Sequence, residues 1–445
     1  MLRLLALSSL LAAQLAVLSC GGSGFPDPSS TPPLAPQSAN TEFGVTGLRN
    51  WALVGNDVDA GTNTLEIEVV APSGTKYVDA WLNGGEGQRL SKVDGRFRIA
   101  LDIAALAPGE YQVLLAADGD DTAFVAHTFK RSHPLYVVVT TDWDDPDTSD
   151  AALALQDDLH AEHPELLLTH FVGPYTFTDP SVSEERRAVL VDWLLGMRTD
   201  FEDEIGLHIH PYCNFVNEVG TILGIADIEC NIDESTVYPT DSSGYTIQCS
   251  AYSDEDFTNI LLASDAVFEE RGLGKPTSFR AGGWTAELNT MRSLEAAGYV
   301  ADTSANNWAR MEEWQGPGMG TLYAWNREHW ASINDTSQPY YPSQDDILVT
   351  GDDTIGVLEV PDNGILVDYV ETAEMIEIFE ANWDGGLLTE PVNYSIGYHP
   401  SNFNAAYKLR ITDTLTHVDQ FLASEDAGPV IYGRLSDMAN VWKQD

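Results

Sequence analysis

Two acids and two histidines stand where apolar runs stop. LYVVVTTDWDD, residues 135–145, closes on Asp142 and Asp144, and IGLHIHP, residues 205–211, closes on His208 and His210. Side chains two apart in a strand share a face, so each pair presents both of its groups on one side. Carboxylate oxygens and imidazole nitrogens converging from two strand ends make a metal-type constellation. Three later runs also close on polar groups. PTSFRAGGW delivers Arg280, GVLEVP delivers Glu359 and YSIGYHP delivers His399. An arginine can clamp a carboxylate with two N–H groups, and a histidine can hand over a proton near neutral pH. Glu359 reads as scaffold.

Something must hold these strand ends together. Strands apolar along their length and polar only at the C-terminal end belong to α/β barrels, whose chemistry sits where the strands stop. Between the runs lie stretches with apolar residues three and four apart, Ala151–Leu159, Glu184–Leu195 and Asp254–Arg271 among them, which predict helices. The expected fold class over residues 133–445 is therefore α/β, a (β/α)-type barrel. Residues 45–131 have a different rhythm: TLEIEVVAPSG, RFRIALDI and EYQVLLAADG alternate apolar and polar positions between turn signals. That pattern predicts a small all-β, immunoglobulin-like sandwich preceding the barrel. Trp51 and Trp81 there offer flat faces for a sugar, although a tryptophan in such a module is more often core.

Composition narrows the partners. With 69 acids against 22 bases and a net charge of −47, the chain would be repelled by phosphate, which excludes nucleic acid and favours a neutral or cationic ligand. Residues 1–20 carry Arg3, an apolar stretch from Leu4 to Val17 and then Leu18, Ser19 and Cys20. This resembles a bacterial lipoprotein signal, which implies a lipid anchor on Cys20 and a place outside the cytoplasm: on the outer membrane or cell surface, or else periplasmic or secreted. Residues 21–44, rich in Gly, Ser and Pro, read as a flexible tether. Cys213, Cys230 and Cys249 fall in one loop-like region, so a disulfide is expected between two of them. Cys230 with Cys249 is the expected pair; a sharper alternative makes Cys213 a soft metal ligand beside His210.

From residue 135 to about 435 these motifs resemble the polysaccharide deacetylases of the NodB-homology type, carbohydrate esterase family four, whose fold is a distorted (β/α) barrel. TTDWDD is similar to the family's first motif, which implies Asp142 as base and Asp144 as metal ligand. EIGLHIHP is similar to the second, which implies His208 and His210 as ligands, here two residues apart where the family usually has four. FRAGGW is similar to the third, whose Arg orients the base, and maps to Arg280. SIGYHP is similar to the fifth, whose His is the general acid, and maps to His399. The fourth motif is degenerate: ADTSANNW offers Asp302 and Trp308 without the usual spacing, so the acid that tunes His399 stays open.

The implied chemistry is hydrolysis of an N-acetyl group on a polysaccharide, chitin-like or peptidoglycan-like. A metal held by Asp144, His208 and His210 would polarise the carbonyl and acidify water, with zinc the default and cobalt or nickel also suited. Asp142 would take the water's proton, Arg280 would hold Asp142, and His399 would protonate the departing amine. Two other readings compete. A lipid-anchored carbohydrate-binding protein on a non-catalytic deacetylase fold is favoured by the degenerate third and fourth motifs. An amidohydrolase or phosphoesterase also opens its site with HxH, but adds more ligand histidines than follow here.

Overall fold

In a computed structural model of the chain, the described residues are 25–30, 43–118, 124–231, 247–311 and 320–443. The lipoprotein-type signal, Cys20 and most of the expected tether lie outside them. Two compact units emerge, one built from residues up to Leu48 with Leu65–Leu101 and Tyr111–Thr128, the other from Arg49–Thr64, Asp102–Glu110 and Phe129–Asp445.

The first unit is antiparallel. Thr64–Val70 pairs with Gly44–Thr46, and Ser91–Val93 forms a hairpin with Arg96–Asp102. Leu65, Ile67 and Val69 are buried while Thr64, Glu66 and Val70 are exposed, the period-two burial of a sheet with one wet face. Val78–Leu82 pairs with Gly109–Ala117 and with Gln88–Arg89. Trp81 is buried in that sheet and donates its indole N–H to the Ser29 carbonyl at 2.8 Å, so its face is not open to a sugar. The described piece of the tether is seated here: Phe25 packs on Tyr77 and Arg89 donates to the Pro26 carbonyl at 2.7 Å. Gly87 permits this approach, since a Cβ there would sit 2.6 Å from the Ser29 oxygen.

The second unit is built on a curled parallel sheet with helices between its strands, the distorted (β/α) class expected for residues 133–445. Strands follow one another across it in the order Leu358–Glu359, Ala301–Asp302, Ser278–Ala281, Glu204–Ile209, Leu168–Val172, Leu135–Asp142 and Val392–Tyr398. Leu135–Asp142 is the hub. One edge pairs with Val392–Tyr398; the other pairs first with Val430–Tyr432 and then, from Val139 onward, with Leu168–Val172. All eight of its residues are buried. Val137 and Val139 enter one apolar cluster with Tyr394 and Ile396, while Tyr136 and Val138 enter another with Phe171 and Leu435. A strand covered on both faces reads as one continuous apolar run, which is why this segment shows no alternation.

Helix starts are set by short polar side chains. Ser149, Ser183 and Ser253 each accept an N–H two or three residues into the helices Asp150–Glu162, Glu184–Asp200 and Asp254–Glu270, and Asn404 does the same for Ala405–Val418. Each cap satisfies a donor that the first turn leaves orphaned. The three helices expected from periodicity are these first three. Trp51 belongs to this unit, where it is buried with its ring edge-on to Trp383. No helix among the described residues is long and apolar enough to cross a membrane. Because every strand of the sheet runs the same way, their C-terminal ends share one rim.

Candidate metal centre and its flanking residues

Asp144, His208 and His210 meet at that rim. The Nε2 atoms of His208 and His210 lie 3.0 and 3.1 Å from the same oxygen, Asp144 Oδ1, and the three ligand atoms lie within 4.8 Å of one another. Period-two alternation puts both imidazoles on one face of Glu204–Ile209 and its continuation. Trp143, between the two acids, turns the other way into the core with Leu207 and Phe215. The Nδ1 of His208 stands 2.9 Å from the Arg280 carbonyl, an acceptor that must receive an N–H. A neutral His208 therefore aims the lone pair of Nε2 at Asp144. A lone pair facing a carboxylate oxygen is repulsive unless a cation lies between them, so the donor set fits a divalent metal. One oxygen with two nitrogens is a set that zinc, cobalt and nickel all accept.

The surroundings hold this set in place. Tyr212 donates its hydroxyl to the Asp144 carbonyl at 2.8 Å and lays its ring nearly parallel to His210, with centroids 5.5 Å apart. On the opposite side the chain turns through Gly282 and Gly283. A Cβ on Gly282 would fall 2.3 Å from His210 Nδ1, and Gly283 has φ +61°. This explains GG in FRAGGW: one glycine makes room for a ligand ring, and the other takes a left-handed turn.

Asp142 and Arg280 form the first flank. Arg280 is fully buried, and its Nη1 reaches both oxygens of Asp142, at 2.9 and 3.1 Å. Two strands separate the pair, with Asp142 opposite Phe171 and Arg280 opposite His208, so the long Arg280 side chain spans the distance.

His399 forms the second flank. It follows the Val392–Tyr398 strand, and its Nε2 lies 3.4 Å from Asp144 Oδ2. Its Nδ1 is 3.1 Å from Asp368 Oδ2, and the same oxygen accepts the His399 backbone N–H at 3.3 Å. Burial opposes a charge on His399, yet Asp144 and Asp368 outweigh it and push the imidazole up to about 10. Burial would likewise raise Asp144, but His399 and His210 hold it well below the usual carboxylate range.

The six residues singled out in the sequence, Asp142, Asp144, His208, His210, Arg280 and His399, thus come together. The acid beside His399 is one that sequence reasoning missed. Asp302 does not serve it: Asp302 accepts the Ser304 hydroxyl at 2.8 Å and lies across from Glu359 on the next strand, both fully buried. Asp368 follows the apolar run GILV, the same acid-after-apolar signal that marked Asp142, but this run is irregular, with one isolated bridge at Leu366, rather than a strand. Glu359 accepts the Ala305 N–H at 2.8 Å and has the scaffold role expected of it.

The cysteines correct one expectation. The disulfide joins Cys213 to Cys230, with Cα atoms 5.2 Å apart, and Cys249 remains a buried thiol. Cys249 is packed against the histidine strand, its Sγ 3.2 Å from the Ile209 carbonyl, and burial pushes the thiol up to about 12. The other two lie on the connection that follows Pro211, which brings them within bonding reach. Cys213, being oxidised, is no metal ligand.

No family model matches the chain, and no curated protein matches it in sequence. Among solved structures it is similar to a protein proposed to be a polysaccharide deacetylase, from Mycobacterium smegmatis, at 14% identity and TM-score 0.40, over 69% of this chain and 89% of that one. It is similar to a family 4 carbohydrate esterase from Streptomyces lividans, in complex with acetate, at 11% identity and TM-score 0.32, over 71% and 100%. A 4-α-glucanotransferase from Thermococcus litoralis is also similar, at 10% identity and TM-score 0.38, over 68% of this chain and 40% of that one. Likenesses this distant do not reach the chemistry. What the site can do follows from its own residues: three metal-type donors around one point, flanked by a carboxylate clamped to an arginine and a histidine clamped to a carboxylate.

Proposed function

We propose that the second unit is a metal-dependent hydrolase that removes N-acetyl groups from a polysaccharide, chitin-like or peptidoglycan-like. One observation carries this reading: the Asp144, His208 and His210 donors are accompanied by two further groups, Asp142 held by Arg280 and His399 held by Asp368. An amide needs a proton taken from the attacking water and another given to the leaving nitrogen, and two separately held groups supply those roles.

When bound, a divalent ion at Asp144, His208 and His210 would polarise the amide carbonyl and make water more acidic. Asp142 accepts the proton of the water whose oxygen bonds to the carbonyl carbon. Arg280 keeps that carboxylate oriented through Nη1, which reaches both of its oxygens. His399 donates its proton to the nitrogen as the C–N bond breaks, so acetate and a free amine leave. Asp368, on Nδ1, holds the ring so that Nε2 faces the site. Export by the lipoprotein-type signal and anchoring through Cys20 belong to the same proposal, because a glycan substrate of this kind lies outside the cytoplasm.

The test is metal content and acetate release on N-acetylglucosamine oligomers for the wild type beside Asp144→Ala and Asp142→Asn. We expect about one metal per chain, released acetate, loss of metal in the first variant and loss of turnover alone in the second. Bound metal with no acetate from any acetylated glycan would overturn the reading and favour a non-catalytic carbohydrate-binding role.

A further inference from the structure

Arg280 holds Asp142 with only one end of its guanidinium. The group carries five N–H donors in one rigid plane, and with the side chain fully buried each needs an acceptor. The Nε donates to the Thr303 carbonyl at 3.1 Å, and Nη1 donates to the Thr140 hydroxyl at 2.9 Å as well as to Asp142. The far nitrogen, Nη2, donates to the Thr303 hydroxyl at 3.2 Å and lies 3.3 Å from Asp362 Oδ2. Asp362 is fully buried, and the same oxygen accepts the Trp284 indole N–H at 3.2 Å. Two carboxylates therefore grip opposite ends of one planar cation, and the plane cannot turn at one end without turning at the other.

We infer that Asp362 is a positioning residue: by anchoring Nη2 of Arg280 it keeps Nη1 on both oxygens of Asp142. Among the described residues Asp362 makes no hydrogen bond or ion pair to Asp142 or to the metal-type donors; the two carboxylates only repel each other, and the directed contact of Asp362 with this flank is its ion pair to Arg280. The inference rests on the proposed function only in giving Asp142 a proton to move; the geometry it asserts stands apart from that.

Two variants separate anchoring from mere charge balance. Asp362→Ala removes the acceptor for Nη2, whereas Asp362→Asn removes the charge and keeps an acceptor oxygen of the same reach. We expect Asp362→Ala to lower kcat about 10- to 100-fold, with KM and metal content near wild type, and Asp362→Asn to recover most of that loss. Crystal structures should show Nη1 withdrawn from Asp142 in the alanine variant and retained in the asparagine variant. Should Asp362→Ala not fold, Asp362→Ser, whose hydroxyl is too short to reach Nη2, takes its place. Equal losses in the Ala and Asn variants would make Asp362 a charge-balancing group and overturn the inference, as would an unmoved guanidinium. A wild type that releases no acetate would defeat the functional reading instead, and the crystal structures would still decide this one.

Discussion

The second unit contains two clusters in which a pair of histidines shares one carboxylate oxygen, and only one of them is built for a metal. At the rim, His208 and His210 meet Asp144 Oδ1; behind the sheet, His160 and His170 meet Asp203 Oδ2 at 2.8 and 3.2 Å. The difference lies in what the remaining atoms do. Around Asp203 the acid and one imidazole are fully engaged: the other Asp203 oxygen accepts the Leu168 N–H at 2.9 Å, and His170 Nδ1 faces the Thr141 hydroxyl at 3.0 Å. No side chain there is more than 1% exposed. Asp144 keeps 26% of its side chain exposed, and His399 approaches its second oxygen. Two histidines on one acid thus mean little by themselves. A saturated, sealed cluster is a fastening between elements; an open one with spare ligand capacity is a site.

The sharpest way to break this contrast is to remove each acid in turn. Asp144→Ala should abolish metal binding and lower kcat/KM by roughly 10³-fold or more while the fold survives, checked by metal content, acetate release and circular dichroism. Metal retained in that variant would refute the rim assignment. His399→Gln should leave metal in place and cost about 10²- to 10⁴-fold in kcat, read from turnover beside metal analysis. Asp203→Ala should do the reverse: full metal occupancy and a loss of about 3 kcal/mol in denaturant unfolding, because two buried imidazoles lose their partner. If Asp203→Ala strips the metal instead, the two clusters are not independent.

Smaller effects refine the picture. Tyr212→Phe, which leaves the ring on His210 but removes the hydroxyl from the Asp144 carbonyl, should weaken metal affinity about 10-fold, measured by competition with a chelator. The buried pair Asp302 and Glu359 offers a pH test. Burial raises Asp302 from 3.8 to about 6 and, together with Asp302, pushes Glu359 well above the usual range. A carboxyl raised in the folded state favours its protonated form there. Its contribution to stability is complete below pH 3.8 and lost as pH rises through about 6, and through the higher value of Glu359. Glu359→Gln should therefore flatten this decline and add about 1 kcal/mol above it, visible as a higher unfolding midpoint at pH 8 than wild type. No gain at pH 8 would show that the pair does not share a proton.

Much of the rim was legible in the linear chain, for a physical reason. In a parallel sheet each polar group that ends an apolar run arrives at the same edge, so Asp142, His208, Arg280 and His399 could be grouped without knowing the strand order. Asp203, His160 and His170 were not legible. His160 sits on a helix, His170 in the middle of a strand and Asp203 in the irregular link just before one, and no local pattern links three such positions. Asp362 and Asp368 were missed alike: both precede or follow apolar residues in an irregular stretch where neither strand nor helix spacing says which way a side chain points.

The amino-acid sequence by itself determined the α/β class of the second unit, the strand ends that carry chemistry and the pairing of His208 with His210 on one face, because alternation along a strand is a local property. Tertiary structure decided the rest. It chose Asp368 over Asp302 as the partner of His399, joined Cys213 rather than Cys249 to Cys230, and set Asp362 behind Arg280. Each of those choices depends on which distant segments are packed side by side, and that is settled by burial across the whole sheet rather than by any run of neighbours along the chain.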